Sequence, residues 1–248
     1  MNLQRLIALI RRIVLQIIRD RRSIGLIVVG PLIIMSLVGF SFIDKPDLLN
    51  RIAPALIATF SLFLTFMLTA VSFLRERQLG TLERLVTTPV RTFEILIGYF
   101  VSFCFFAILQ SLIVIFFTIF VLDIDYQGSI WQMLVVVIIE TIVAVNLGIV
   151  ISTFAKNEFQ VIQFIPIILS PQIFLSGVII PVSDLPTYFQ VIAKILPLRY
   201  AVDGLQDVML KGNSLSQIGN ELIILAGFGV ILLCIAALTI KRLMNNLE

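Results

Sequence analysis

The sequence contains no histidine and only two cysteines. Without histidine, the chain lacks the usual general base of enzymes, the Ser-His-Asp arrangement and the commonest protein ligand of metals. Cys104 and Cys234 both lie in long apolar runs, which favours two small core side chains over a disulfide or a metal-binding pair. The sequence therefore predicts neither an enzyme active site nor a metal site.

Charge is also scarce, at 13% of the 248 residues, whereas hydrophobic residues make up 59% and the mean hydropathy is +1.09. A soluble domain carries about 25% charged and about 45–50% apolar residues. A protein core cannot absorb this excess, so lipid must be the solvent for much of the surface. The net charge of +3 is too small to indicate a nucleic-acid partner.

Six apolar runs predict an all-α integral membrane protein with six transmembrane helices. The first run, 24–43, has 20 residues without a charge, enough to cross a hydrocarbon core of about 30 Å. The others are 54–74, 95–122, 130–155, 159–183 and 222–240, and only 130–155 contains a charged residue, Glu140. No internal repeat is evident, so residues 1–248 are interpreted as a single transmembrane domain.

The distribution of lysine and arginine predicts the orientation. With the N-terminal segment inside, 13 of these residues fall on inner segments and 5 on outer segments. The positive-inside rule then places both termini in the cytoplasm, in a multi-pass protein of the inner or plasma membrane.

Residues 1–22 have the pattern of a basic amphipathic helix. Apolar residues recur from Leu3 to Ile18 at helical spacing, while Arg5, Arg12 and Arg19 fall on another face. Such a helix lies in the inner headgroup layer, either as a membrane anchor or as a surface shared with a cytoplasmic partner. A cleavable signal peptide is not expected, because no uninterrupted apolar segment or small-residue cleavage site occurs here.

The segment 75–94 joins the second and third predicted spans. Gly80 should break the descending helix, and residues 81–86 can form a short helix that ends before Pro89. Its apolar face contains Leu82 and Leu85 and is bordered by charged residues. This segment either docks into a groove of a partner protein or is an ordinary positive-inside loop.

The segment 181–220 is too apolar for a solvated loop. It predicts one short helix that starts near Pro186 and a second after Pro197. In the second, Arg199 with Asp203 and Asp207 with Lys211 have the spacing at which opposite charges pair along a helix. The two helices form either a re-entrant hairpin from the outer side or a partly buried outer cap.

Two stretches of this sequence resemble the type-2 family of ABC-transporter permeases. The run from Glu76 to Pro89 is similar to the pattern E-x-x-x-G-T-x-E-x-L-x-x-[ST]-P of that family, and 175–212 is similar to the segment before its last transmembrane helix. The resemblance extends over nearly the whole chain and is nearest to the drug-resistance exporters.

The resemblance implies a dimer of permeases, identical or related, that works with two cytoplasmic ATPase subunits. This chain contains no G-x-x-x-x-G-K-[ST] phosphate loop, so ATP and Mg²⁺ are expected on the partner ATPase and no cofactor is expected here. The residues implied in coupling to the ATPase are Arg77, Gly80, Thr81, Leu82, Glu83 and Leu85. The residues implied in a re-entrant outer gate are Pro181, Pro186, Pro197, Arg199, Tyr200 and Asp203.

Polar residues inside the spans are candidates for a translocation pathway, because the second and fifth helices flank the pathway in the family. These candidates are Ser61, Thr65, Thr69, Gln163, Ser170 and Gln172. The alternative is that they form hydrogen bonds between helices.

Glu140 is the only acidic residue deep in a predicted span. Ala144, Gly148 and Ser152 follow it at intervals of four, a small-residue face that packs helices closely. The carboxyl is therefore expected to point at another helix rather than at lipid, with a role in structural pairing favoured over proton coupling.

These features predict the membrane-spanning permease of an ATP-driven exporter of hydrophobic or amphipathic molecules, which catalyses no reaction itself. Export of a lipid or a lipid-linked glycan is the alternative within transport. A membrane sensor or signal relay is the alternative from another class of protein.

Overall fold

The computed structural model describes residues 3–42, 44–81 and 92–245, and these residues contain helices and no strand. In chain order the helices are α1 (Leu3–Arg19), α2 (Arg21–Ser41), α3 (Pro46–Gln78), α4 (Thr92–Phe120), α5 (Ile130–Phe154), α6 (Glu158–Leu175), a short 3-10 helix (Val182–Asp184), α7 (Thr187–Ala193), α8 (Pro197–Lys211) and α9 (Gly219–Asn245).

Within the described part of the chain, five helices are long and apolar enough to cross a membrane, namely α3, α4, α5, α6 and α9. They correspond to the second to sixth predicted spans. The first predicted span falls in α2, whose described apolar part, Val28–Ser41, is shorter than these five. The structure therefore supports a multi-pass helical membrane protein, and the count of six spans stays a prediction.

Helix α3 lies at the centre of the bundle. In its most apolar window 67% of the residues are buried, against 17% for α6 and 22% for α9. It begins with Pro46. Proline is preferred in the first turn of a helix, because the backbone N–H that it lacks would have no partner within the helix there. At 33 residues it is longer than the predicted span 54–74 and extends beyond it at both ends.

Helices α3 and α5 approach each other closely. A Cβ atom on Gly148 of α5 would lie 2.8 Å from Cβ of Thr69 and 2.9 Å from the backbone oxygen of Phe66. Only glycine permits this approach, which is how small residues bring membrane helices together without a hydrophobic driving force. The predicted small-residue face of α5 thus packs onto α3.

The N-terminal helix α1 is amphipathic, as the sequence predicts. Its buried stripe, Leu6, Leu9, Ile13 and Ile17, packs against α4. At Gly98 of α4 a Cβ atom would lie 2.5 Å from a methyl carbon of Leu9, so the missing side chain lets α1 lie flat on α4. A second apolar stripe on α1, which includes Leu3 and Ile7, is exposed.

Local capping sets where two of the long helices begin. Ser129 and Gln132 form a reciprocal capping box at the start of α5, and the Asn157 side chain accepts a hydrogen bond from the Gln160 backbone N–H at 2.9 Å at the start of α6. The short connection between α5 and α6 is therefore fixed at one end of the bundle, close to the end of α3.

Candidate functional site at the end of helix α3

The last turn of α3 leads directly into the predicted coupling segment. The helix ends at Gln78, and Gly80 follows with φ +65°, a left-handed conformation that glycine adopts without strain. Arg77, Gly80 and Thr81 are described, whereas the other predicted coupling residues, Leu82, Glu83 and Leu85, lie outside the described residues. Four consecutive side chains, Arg75, Glu76, Arg77 and Gln78, contact other elements, and we call them the junction cluster.

Arg75 joins α3 to both α1 and α6. Its guanidinium donates to the Asp20 carboxylate at 2.9 Å and forms a two-pronged contact with Glu158, at 2.5 and 3.2 Å. Planar two-pronged pairs of this kind hold a fixed geometry as well as a charge. Asp20 immediately follows α1 and Glu158 begins α6, so one side chain connects three helices.

Glu76 is the buried centre of the cluster, with 3% of its surface exposed. It accepts hydrogen bonds from Arg12 at 3.1 Å, from the Tyr99 hydroxyl at 2.5 Å and from Gln16. A buried carboxylate is tolerated only when donors replace its hydration, and here α1 and α4 supply them. Removing one partner of such a group is costly, because the remaining polar atoms stay buried.

Arg77 and Gln78 contact the end of α5. Arg77 donates to the backbone oxygen of Ser152 at 2.5 Å, and Gln78 donates to the backbone oxygen of Lys156 at 2.9 Å. The last carbonyls of a helix have no partner within the helix, and a cation there also complements the helix dipole. The junction cluster therefore fixes the end of α3 to α1, α4, α5 and α6 at once.

Sequence reasoning assigned no role to Glu76 or to its partners Arg12, Gln16 and Tyr99. The available signal was Glu76 as the first residue of the family motif, together with the flanking arginines. The partners lie 23 to 64 positions away in the sequence, so only the packing of α1 and α4 on α3 brings them together.

The predicted pathway residues of α3 lie inside the bundle. Ser61, Thr65 and Thr69 are fully buried, and the Ser61 hydroxyl is 2.8 Å from that of Ser111 on α4. The hydroxyls of Thr65 and Thr69 have no hydrogen-bond partner within the described part of the chain.

The predicted pathway residues of α6 point in different directions. Gln163 is exposed and Ser170 is half-buried. Gln172 is buried and accepts a hydrogen bond from the backbone N–H of Leu198 at 3.4 Å, which connects α6 to the start of α8. Their assignment to a pathway stays a prediction.

Glu140 is buried between helices, on the small-residue side of α5 rather than toward lipid. Among the described residues neither of its carboxyl oxygens has a hydrogen-bond partner. The described residues therefore supply no hydrogen-bonded partner for Glu140, and its structural role stays a prediction.

The outer segment 181–220 contains the two predicted short helices, α7 and α8. Pro181 precedes the 3-10 helix, Pro186 precedes α7 and Pro197 is in the first turn of α8. Both predicted ion pairs form, Arg199 with Asp203 at 3.4 Å and Lys211 with Asp207 at 2.5 Å. Burial raises the pKa of Asp203, and the nearby Arg199 opposes that rise.

Two of the predicted gate residues line an opening on this side. Tyr200 donates to the backbone oxygen of Lys194 at 2.8 Å and lies 5.8 Å below the Arg199 guanidinium. Pro181 and Asp203 line a cavity of about 510 Å³ together with Arg51 of α3. The opening lies at the end of the bundle opposite the junction cluster, and the assignment of these residues to a gate stays a prediction.

This bundle of long apolar helices, with a charged cluster at one end, defines a multi-pass α-helical membrane protein. The chain belongs to the ABC-2 type transporter family, whose sequence profile matches residues 4–210.

The alignments with individual relatives cover most of this chain but less than half of each relative. The chain is 27% identical over 202 residues to ABC transporter G family member 20 of Dictyostelium discoideum, covering 81% of this chain and 28% of that protein. It is 30% identical over 171 residues to the probable multidrug ABC transporter permease YbhR of Escherichia coli, covering 69% and 46%. It is 28% identical over 176 residues to the linearmycin resistance permease protein LnrN of Bacillus subtilis, covering 71% and 44%. The chain thus spans less than half the length of these curated relatives.

Proposed function

We propose that this chain is the membrane-spanning permease subunit of an ATP-binding-cassette exporter and moves a hydrophobic or amphipathic substrate outward. Family membership supports the permease role. The relatives that are called multidrug and linearmycin resistance permeases support the class of substrate. The permease catalyses no reaction, and ATP and Mg²⁺ bind to a separate ATPase chain.

The junction cluster is the observation that carries this proposal. An exporter must transmit a movement of the ATPase through the segment after Gly80 into the transmembrane helices. A loosely attached segment would move alone, whereas Arg75, Glu76 and Arg77 attach the end of α3 to four other helices. A force applied at Gly80 is therefore shared by the bundle, because interlocked ion pairs and packed helices move as units.

The proposed topology places the junction cluster at the cytoplasmic face, with both termini inside. It has six spans, an interfacial helix within 1–22, a coupling segment at 75–94 and a re-entrant segment at 181–220, in one domain over 1–248. The exposed apolar stripe of α1, which includes Leu3 and Ile7, supports the interfacial position, since the acyl-chain boundary of the membrane would cover it. Exposed Tyr188, Val191 and Ile195 support contact of the outer segment with lipid or protein.

The proposed assembly contains a second permease, identical or related, and two ATPase subunits. The low burial of α6 and α9 within one chain supports this, because their apolar faces need lipid or a second permease as a partner. Exposed Gln163 on α6 supports a pathway at that face, since a glutamine amide facing lipid alone would be costly.

The decisive experiment tests the coupling segment. We expect Leu82→Asp or Leu85→Asp to abolish ATPase binding and substrate-stimulated ATP hydrolysis, since an unpaired charge in a dry contact costs several kcal/mol or more. The measurement is co-purification of the full chain with the ATPase, followed by export in proteoliposomes, normalised to permease in the membrane.

Val121→Asp is the matched control, because Val121 is exposed and immediately follows α4 at its predicted outer end. It should leave ATPase binding intact. Normal coupling in both leucine variants would refute the assignment of this segment. A chain that binds an ATPase but drives no transport would favour a signalling role.

A further inference from the structure

The cavity of about 510 Å³ lies between the start of α3, the segment that follows α6 and helix α8. In the proposed topology it is at the outer end of the bundle. Helix α3 contributes Arg51 to its lining, and α8 contributes Asp203 and Gln206. The function proposed above assigns no occupant to this space.

Arg51 is a cation without a partner in this lining. Within the described part of the chain its guanidinium forms no hydrogen bond and no ion pair, although Asp47 lies one turn earlier on α3. The carboxylate of the lining, Asp203, is already paired with Arg199 at 3.4 Å, so its charge is offset. The unmatched charge in the cavity is therefore positive, and an anion is the occupant that pairs with it.

Two further hydrogen-bond donors border the same space. The side chain of Gln206 forms no hydrogen bond with any residue that the structure describes. The backbone N–H of Ile179, in the irregular segment after α6, likewise has no acceptor there. Amide N–H groups donate to oxyanions, so these groups can add to the contact that Arg51 makes with an anion.

Most of the remaining lining is apolar. Leu48 and Ile52 contribute from α3, Val178 from the segment after α6, and Leu210 from α8. The volume lies within the range of about 300–1,000 Å³ that is typical of ligand pockets, so an apolar chain fits beside a small charged group. An inorganic anion would leave the apolar surface uncovered, whereas an amphiphile covers both parts.

We propose that this cavity binds an anionic amphiphile, a molecule with a carboxylate, sulfate or phosphate group on an apolar chain. The anionic group accepts hydrogen bonds from Arg51 and Gln206, and the chain packs against Leu48 and Ile52. This proposal adds a negative charge to the class of exported substrate, and for that link it rests on the proposed function. An anionic phospholipid of the outer leaflet has the same chemistry, so the experiment separates these two sources.

The test measures how an occupant protects a cysteine inside the cavity. After Cys104 and Cys234 are replaced, a single cysteine is introduced at Val178, which is half-buried in the lining. Its rate of alkylation is measured in the purified full chain in phosphatidylcholine nanodiscs. Dodecyl phosphate should slow alkylation at a concentration about tenfold lower than dodecanol or dodecyltrimethylammonium requires. A cysteine at Tyr126, outside the lining, controls for general effects of each amphiphile and should show no protection.

Three variants assign the preference to Arg51. Arg51→Gln removes the cation and should abolish the preference for dodecyl phosphate, whereas Arg51→Lys keeps the charge and should retain part of it. Lys45→Gln is the matched control, because it removes an exposed cation that precedes α3 without lining the cavity, and it should retain the full preference. Arg51 is exposed and has no described partner, so its replacement should leave the fold intact.

Two arms of the experiment distinguish the sources of the anion. Protection in phosphatidylglycerol nanodiscs without added amphiphile would identify a membrane lipid as the occupant. Protection only after dodecyl phosphate is added would identify a molecule of the exported class. The measurement involves no ATPase and no transport, so its failure is distinguishable from a failure of the proposed function.

Four results would overturn the proposal. Equal protection by dodecanol would show that the anion is not recognised, and stronger protection by dodecyltrimethylammonium would show that Asp203 dominates the cavity. Equal protection by inorganic phosphate would show that the apolar lining contributes nothing. An unchanged preference in Arg51→Gln would place the anion elsewhere on the chain.

Discussion

Glu76 offers the sharpest test of the junction cluster. The residue is 3% exposed, and its carboxylate accepts hydrogen bonds from Arg12, Gln16 and Tyr99. Glu76→Leu removes this acceptor while filling a similar volume. The variant leaves three donors facing an apolar side chain.

The magnitude follows from what each donor can do instead. The Arg12 side chain is 34% exposed, so its guanidinium can be solvated by water instead. Loss of its ion pair with Glu76 therefore costs only about 0.2–1 kcal/mol. The Tyr99 side chain is fully buried, and a stranded buried hydroxyl costs about 1–3 kcal/mol. We therefore expect Glu76→Leu to destabilise the protein by about 2–4 kcal/mol in total.

Two milder variants separate the contributions. Glu76→Gln keeps an acceptor for Tyr99 but loses the charge, so it should cost about 1–2 kcal/mol. Tyr99→Phe removes one donor and leaves the other two in place, at a cost of about 0.5–1.5 kcal/mol. The order of stability should be wild type, then Tyr99→Phe and Glu76→Gln, then Glu76→Leu.

The assay is unfolding of the purified chain in detergent, paired with the ratio of export to ATP hydrolysis in proteoliposomes. We expect that ratio to fall in Glu76→Leu even at temperatures where the variant remains folded. Wild-type stability of Glu76→Leu would refute the reasoning about burial. Lowered stability with an unchanged ratio would limit the junction cluster to a structural role.

Three further predictions address topology, packing and the intramembrane acid. After Cys104 and Cys234 are replaced, single cysteines introduced at Asp44, Asp125 and Lys211 should react with a membrane-impermeant reagent from outside, and a cysteine at Gln78 should not. Labelling at Gln78 from outside would reverse the proposed orientation. Gly148→Leu should destabilise the bundle by about 1–3 kcal/mol, because the new side chain meets Thr69 and the Phe66 backbone. Gly227→Leu is the control and should not destabilise it, because a Cβ atom there meets nothing within 4 Å. Equal stability of the two variants in unfolding assays would contradict the packing of α5 on α3. Glu140→Gln should retain export across a range of pH, and Glu140→Leu should be as stable as wild type because no described donor loses a partner. Loss of export in both variants, together with loss of the pH dependence of export, would indicate proton coupling instead.

Local signals in the sequence anticipated most of the helical architecture. Uncharged runs mark the long helices because a backbone in lipid must satisfy its own hydrogen bonds, which leaves helix as the conformation for each run. The ion pairs of Arg199 with Asp203 and Asp207 with Lys211 were also predictable, because in each pair both partners lie on one helix, one turn apart. The coupling motif was readable as a resemblance, although its central residues lie outside the described part of the chain.

Tertiary structure decided which polar side chains meet. The partners of Glu76 come from α1 and α4, and those of Arg75 from the end of α1 and the start of α6, so they depend on how each helix is rotated about its axis. The same rotation buries Gln172 against α8 and leaves Gln163 exposed on one helix. Periodicity fixes the relative directions of side chains along a helix, but packing against the other helices fixes where that helix points. For this reason the sequence by itself determined the helices, and only the packed bundle determined the junction cluster.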